Sequence, residues 1–262
     1  MRAKKSLGQN FLNSKTVARD IVRASEILPA DTILEIGPGK GFLSEEILKA
    51  GAKVVAVEKD DRMIPLLSEK FSDEIARGQF TLVHEDITEG TQGLSLGSSY
   101  KLIANIPYYL TGYILRTFLE MQKKPERMVL MLQKEVADRI VARDGKESIL
   151  SLAVKAYGAP RIVKKVPARY FTPAPKVDSA VVSIENISDK HFKNDAEEQR
   201  FFEIVKTGFA HKRKQLAGNL KELFGKETLA ILSQAGIAPN ARAEDITLAD
   251  WLALLEFTKA RP

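Results

Sequence analysis

One turn constrains this chain more than any other feature: Glu35-Ile36-Gly37-Pro38-Gly39-Lys40-Gly41. The run before it, residues 32–36, is short, apolar and β-branched, and reads as a buried strand. Residues 42–50 pair Leu43 with Ile47 at helical spacing and stop at Gly51, so they read as a helix. A glycine-rich turn between a strand and a helix brings backbone N–H groups against a ligand at the helix N-terminus. A pyrophosphate fingerprint needs Gly-x-Gly-x-x-Gly, but the third glycine here is Gly41 and Phe42 stands where that fingerprint wants it. A dinucleotide oxidoreductase is therefore disfavoured.

The same alternation continues downstream. Strands are expected at residues 53–58, 79–85, 101–106 and 127–133, the last followed by a helix to about Ala142. An amphipathic helix precedes them at residues 14–28, with Val17, Ile21, Ala24 and Leu28 on one side and Ser14 as N-cap. Alternating strands and helices imply a parallel sheet with helices on both faces. Residues 151–158 and 179–185 are expected to close that sheet as an antiparallel pair around a proline-rich loop. After Ile187 the texture changes: residues 188–199 read as a polar linker, and helices follow near residues 201–209, 215–224, 227–234 and 248–257. The expected organisation is a domain over residues 1–187 and a small all-helical C-terminal domain over residues 188–262.

Acids stand at successive strand ends. Glu58 closes the second strand of the alternating series, where a carboxylate can accept both hydroxyls of a ribose. Asp86 follows the third and can receive an adenine amino group. Each alone is compatible with a solvated strand end; their order favours a nucleoside site. The form Glu-x-Gly-x-Gly-x-Gly resembles class I S-adenosylmethionine-dependent methyltransferases, whose Rossmann-like fold packs a nucleoside and an amino-acid tail.

Asn105-Ile106-Pro107-Tyr108 follows the fourth strand. An amide oxygen is a poor base but a good acceptor, which suits an exocyclic amine whose lone pair is delocalised into a ring. Accepting both amine protons, on Asn105 and on the Ile106 carbonyl, would drive that nitrogen towards tetrahedral geometry and aim its lone pair at a sulfonium methyl. Pro107 would fix the turn and Tyr108 would stack on the base. Positioning of this kind can lower a barrier by roughly 7–11 kcal/mol in favourable cases. Taken alone, the motif is more often an ordinary Asn-x-Pro turn.

The chain has no cysteine, which excludes disulfides, thiolate metal sites and a thiol nucleophile, and suits a reducing cytoplasm. Its three scattered histidines, His84, His191 and His211, make a metal site improbable. The basic N-terminus lacks an apolar core after it, and no run is long enough to cross a bilayer. The net charge of +6 is concentrated in residues 1–23, in residues 155–177, which hold no acid, and in Lys212-Arg213-Lys214. Such clusters suit a polyanion, foremost nucleic acid, although a solvated basic surface explains charge alone equally well.

Four blocks together resemble the ribosomal RNA adenine N6,N6-dimethyltransferases of the small-subunit (KsgA) type. They are Lys5-Ser6-Leu7-Gly8-Gln9-Asn10-Phe11-Leu12, the glycine turn, Asn105-Ile106-Pro107-Tyr108, and Phe171-Thr172-Pro173-Ala174-Pro175-Lys176-Val177-Asp178-Ser179. The resemblance implies that Asn10 and Leu12 close over S-adenosylmethionine, with Glu35, Gly37, Gly39, Gly41, Glu58, Asp86 and Asn105 lining its pocket. It implies that Phe171 faces Tyr108 across the target base. It also implies that Lys4, Lys5, Lys164, Lys165, Arg169, Lys212, Arg213 and Lys214 hold RNA phosphates. The implied substrate is a pair of adjacent adenosines in the 3′-terminal hairpin loop of 16S rRNA, acted on by a cytoplasmic monomer without metal or membrane. Loop bases are poorly stacked, so extruding one costs little. Two other readings share these residues: an Erm-type methyltransferase acting on large-subunit rRNA, and a non-catalytic ribosome-assembly factor.

Overall fold

The computed structural model describes residues 8–91 and 93–258. Its elements run β1 (Phe11–Leu12), α1 (Lys15–Ala24), β2 (Thr32–Ile36), α2 (Phe42–Lys49), β3 (Lys53–Glu58), α3 (Met63–Lys70), α4 (Ser72–Ala76) and β4 (Phe80–His84). They continue with β5 (Lys101–Asn105), α5 (Thr111–Glu120), β6 (Arg127–Gln133), α6 (Lys134–Ile140), α7 (Ile149–Lys155), β7 (Ala159–Val166), β8 (Phe171–Thr172) and β9 (Ser179–Glu185). The last are α8 (Asp195–Gly208), α9 (Leu216–Phe224), α10 (Thr228–Gln234) and α11 (Leu248–Glu256).

Seven strands form one sheet in the order β4-β3-β2-β5-β6-β9-β7. The first five are parallel, while β9 runs antiparallel to both β6 and β7. In β2, β5, β6 and β9 consecutive residues are buried, so both faces of the sheet are covered. That is why these strands read as unbroken apolar runs rather than alternating ones. From β2 the chain winds one way through β3 and β4, then returns to set β5 on the other side of β2. This reversal opens a crevice at the carboxyl ends of β2 and β5, where open sheets of this kind bind ligands.

The described chain divides into two compact units. One comprises residues up to 137 together with 159–187; the other comprises 138–158 together with 188 onward. The first unit has its core around the buried faces of α1 (Val17, Ala18, Ile21) and α2 (Leu43, Ile47), with Phe71 stacked on Phe80 at 4.5 Å. The second has an aromatic cluster of Tyr157, Phe192, Phe201 and Phe202, and a stacked pair, Phe209 and Trp251, at 5.6 Å.

Four local expectations change. Residues 151–158 are not the closing strand; they fall mostly in α7, which starts from a Ser148–Ser151 capping box, and β9 pairs instead with β7. The segment 138–158 also groups with the helical unit rather than the sheet, because the Tyr157 ring packs on Phe192 and Phe202 and its carbonyl accepts from Ser188 N. Helix α1 stops at Ala24: the Ser25 hydroxyl bonds back to the Ile21 carbonyl, Glu26 turns to φ 46°, and Leu28 is left 64% exposed. The polar linker is shorter than expected, since Asn194 caps α8 and three acids in its first turn suit the helix dipole.

Gly41 adopts φ +68°, and a Cβ there would lie 2.5 Å from the Phe71 ring. Gly41→Ala combines backbone strain with overpacking and should cost about 2–3 kcal/mol. Urea denaturation measures this, and an unchanged midpoint would contradict the packing described.

Candidate active site

A cleft at the carboxyl ends of β2, β3 and β5 encloses about 1050 Å³, part of it open to solvent. Its walls come from the arm (Gly8 to Leu12), the glycine turn, the β3 end (Val57, Glu58, Lys59), residues 85–87 and residues 105–110. Gly37 adopts φ +68°, and a Cβ added there meets no protein atom within 4 Å. Any side chain at Gly37 would thus take up space beside the turn, and glycine leaves the backbone bare to a ligand.

Two buried carboxylates meet this turn. Glu58 accepts from Gly39 N (3.0 Å) on one oxygen and from Asp60 N (2.8 Å) on the other. Burial still holds its pKa above the usual carboxylate range despite those bonds. A carboxylate has about four acceptor positions, so acceptor capacity remains for a ribose hydroxyl beyond these backbone bonds. Glu35 is only 1% exposed, and its Oε2 has no hydrogen-bond partner. Burial pushes Glu35 up to about 7, an effect the Ser44 hydroxyl and Lys70 offset only in part and Glu58 reinforces. An unpartnered carboxylate oxygen in a cleft wall is costly unless a ligand supplies a donor.

Asp86 uses one oxygen to cap Thr88 N (3.0 Å) and the other to bind Lys59. Its burial acts to raise the pKa, but the Lys59 and Thr88 bonds outweigh it and the net shift is downward. Lys59 lies on the exposed rim of the cleft, so Asp86 is screened by a movable cation rather than locked in the core.

Asn105 ends β5, and its Nδ2 donates to the Asn10 carbonyl at 3.1 Å. With its donor side committed to the arm, the amide offers Oδ1 as an acceptor. Ile106, Pro107 and Tyr108 continue the wall. The Tyr108 hydroxyl bonds Ser179 Oγ at 2.9 Å, which fixes the ring, and burial raises its pKa, keeping it neutral. The arm is anchored by β1 pairing with β8, Leu12 opposite Phe171.

The structure brings Asn10, Leu12, Glu35, Gly37, Gly39, Glu58, Asp86, Asn105, Ile106, Pro107 and Tyr108 to one cleft. It does not bring Phe171 there: that ring is 4% exposed and packs in the core with Leu12, Val17 and Val166. Gly41 stands just behind the lining, packed on Phe71. Gln9, Pro38, Lys59, Ile87 and Tyr109 line the cleft although sequence reasoning did not single them out. Gln9 carried a signal, because it lies inside the N-terminal block.

Of the basic residues, Lys4 and Lys5 lie outside the described residues. Lys164 pairs with Asp20, and Arg169 lies 5.2 Å over the Tyr170 ring. Lys165, Lys212, Arg213 and Lys214 are exposed. Among the described residues no cluster of three or more His, Cys, Asp or Glu could hold a metal, and no helix is long and apolar enough to cross a membrane.

Residues 1–260 match the family model described as ribosomal RNA adenine dimethylase. The chain belongs to the ribosomal RNA adenine dimethylase family. The dimethylase is 42% identical over 256 residues to a protein of Dehalococcoides mccartyi named ribosomal RNA small subunit methyltransferase A, covering 96% of this chain and 87% of that protein. It is 38% identical to the protein of the same name from Fusobacterium nucleatum, covering 98% of each. Among solved structures it resembles the 23S rRNA methyltransferase ErmE, with a TM-score of 0.79, 26% identity and coverage of 94% of this chain and 98% of that one. A dimethyladenosine transferase from Plasmodium falciparum shares the fold, with a TM-score of 0.78, 24% identity and coverage of 95% and 98%. The seven-stranded sheet is thus the Rossmann-like fold of a methyltransferase that acts on ribosomal RNA adenine.

The buried Glu35 dictates a pH effect. The unfolded chain releases this proton near the ordinary 4.5, whereas the folded dimethylase holds it to about 7. The folded state binds more protons in that window, so this group's contribution to stability falls as pH rises through it. Glu35→Gln should remove the fall, changing the stability difference between the two proteins by about 2–3 kcal/mol across the window. Urea titrations at a series of pH values measure it; parallel curves would contradict the burial argument.

Proposed function

We propose that the dimethylase transfers methyl groups from S-adenosylmethionine to N6 of two adjacent adenosines in the 3′-terminal hairpin loop of 16S rRNA, each receiving two. The observation that carries this reading is the Asn105 amide, oriented by the Asn10 carbonyl at 3.1 Å so that Oδ1 can accept. The cleft fits the cofactor. Glu35 Oε2 is a buried acceptor without a partner and suits an ammonium group, Gly37 leaves the turn bare, and Glu58 retains acceptor capacity for a ribose.

When bound, the cofactor supplies a methyl group on a sulfonium, open to in-line attack. Asn105 Oδ1 and the Ile106 carbonyl accept the two N6 protons of the target adenine and localise its lone pair. Tyr108, held by Ser179, stacks on the base. Glu35, Glu58 and the glycine turn would hold the cofactor as it gives up the methyl group and keeps the C–S electron pair on sulfur, and the methylated nitrogen would lose its proton to water. No strong base is needed, which agrees with an amide at this position. The exposed Lys165 and Lys212 to Lys214 hold phosphates and make binding salt-dependent.

The resemblance to the 23S rRNA methyltransferase ErmE favours a second reading, a large-subunit substrate. The small-subunit reading is supported by near full-length relatives at 38–42% identity that carry that name. A small-subunit precursor places the enzyme in the cytoplasm. The test is incubation with labelled S-adenosylmethionine and undermethylated small subunits, followed by nucleoside mass spectrometry. Dimethyladenosine in the small-subunit rRNA is expected. Label confined to large-subunit rRNA would transfer the assignment to the second reading, and no label in either would leave an assembly role without catalysis.

Asn105→Ala should lower the transfer rate on the order of 100-fold or more, comparable to removing a preorganised hydrogen-bonding group elsewhere. RNA affinity should stay within about twofold, since phosphate contacts dominate it. Single-turnover kinetics and filter binding measure the two; near wild-type transfer would overturn the role given to the amide. Glu58→Ala should weaken cofactor binding by at least about tenfold through lost charge-assisted bonds. Calorimetry measures it, and unchanged affinity would contradict the ribose contact.

A further inference from the structure

Residues 8–10 of the arm lie outside the β1–β8 ladder, which covers only Phe11 and Leu12. They are nonetheless held from both sides of the cleft. On the β3 side, Gln9 Nε2 donates to Asp60 Oδ2 at 2.7 Å, and Gln9 Oε1 accepts from Arg62 Nη2 at 3.3 Å. On the β5 side, Asn105 Nδ2 donates to the Asn10 carbonyl. Asp60 is 2% exposed and forms an ion pair with Arg62, through Nε at 2.8 Å and Nη2 at 2.5 Å. Its own N–H donates to Glu58, whose other oxygen accepts from Gly39. An unbroken series of hydrogen bonds and two adjoining residues thus joins the glycine turn, Glu58, Asp60, the arm and Asn105.

The chemistry at position 9 is selective. A primary amide is both donor and acceptor, so it can satisfy a carboxylate and a guanidinium at once. A carboxylate at position 9 would face Asp60, which Arg62 holds well below the usual carboxylate range. An ammonium there would lose the bond from Arg62. Because Gln9 and Asn10 are consecutive, the peptide that presents the Asn10 carbonyl to Asn105 can shift little while Gln9 is docked.

We propose that Gln9 is a positioning residue: it pins the arm across the cleft to the Asp60–Arg62 pair and, through the adjoining Asn10 carbonyl, orients the Asn105 amide for methyl transfer. The proposal rests on the acceptor role of Asn105 given above. It makes closure over the cofactor and presentation of the catalytic amide one event, so an open arm leaves the amide unoriented.

The test exchanges the two groups. Gln9→Glu puts a carboxylate against Asp60; Asp60→Asn removes the carboxylate from Arg62; the double variant restores an amide, a carboxylate and a guanidinium with the first two interchanged. Two rates are read: stopped-flow release of S-adenosylhomocysteine without RNA, and single-turnover transfer to undermethylated small subunits at saturating cofactor. Each single variant should speed release and slow transfer by about tenfold or more, and the double variant should return to within about threefold of wild type in both, the mark of a coupled pair. Gln9→Ala, which leaves Asp60 intact, should change both rates in the same directions and keeps the test open if Asp60→Asn does not fold. Wild-type rates in Gln9→Ala and Gln9→Glu, or a double variant no better than the worse single one, would overturn the proposal. Faster release with unchanged transfer would overturn the orienting role. The release assay needs no RNA, and a wild-type protein that fails to methylate marks failure of the functional assignment rather than of this one.

Discussion

The carboxylate of Glu58 ties together the parts on which the site depends. It ends β3, yet one oxygen reaches the N–H of Gly39 in the turn after β2, and the other receives the N–H of Asp60 in the following loop. Two adjacent parallel strands thereby present their carboxyl ends in fixed register. The burial that raises the pKa of Glu58 is the same burial that makes a polar ligand welcome beside it. Together with the bond from the Gly37 N–H to the Val57 carbonyl, this bridge holds the glycine turn against the end of β3.

From that bridge the constraint spreads in two directions. Through Asp60 it reaches Gln9 and Arg62, and so the arm. Through the neighbouring residue Asn10 it reaches Asn105 at the end of β5. A weak nucleophile such as an exocyclic amine asks for geometry rather than for a strong base, and geometry is what a series of buried, directional hydrogen bonds supplies. The orphaned Glu35 oxygen is a desolvated acceptor that costs stability in the free protein, a cost that a donor from the proposed cofactor would offset.

Much of this was legible in the residues. The parallel strands are buried on both faces and so appear as apolar runs, and the glycine turn and Asn-x-Pro-Tyr turn mark two strand ends directly. The closing strand was not legible: β7 lies at the sheet edge and carries Arg161, Lys164 and Lys165, so it lacks an apolar signature, while the apolar run before it belongs to α7. Phe171, expected to face Tyr108 across the base, lies in the buried cluster that also holds Leu12, its partner in the β1–β8 ladder. Gln9 stands inside the N-terminal block, but its positioning role was not legible there because its partners, Asp60 and Arg62, lie more than fifty positions away. Pairings across that distance have no periodicity for a single sequence to display.

The most direct measurement of the central claim is a crystal structure of the protein with S-adenosylhomocysteine bound. The account predicts the ribose hydroxyls on Glu58, the amino group within hydrogen-bond distance of Glu35 Oε2, and the Asn105 amide still bonded to the Asn10 carbonyl. A ligand seated elsewhere, or one in this cleft that leaves Glu35 Oε2 and Glu58 untouched, would contradict it.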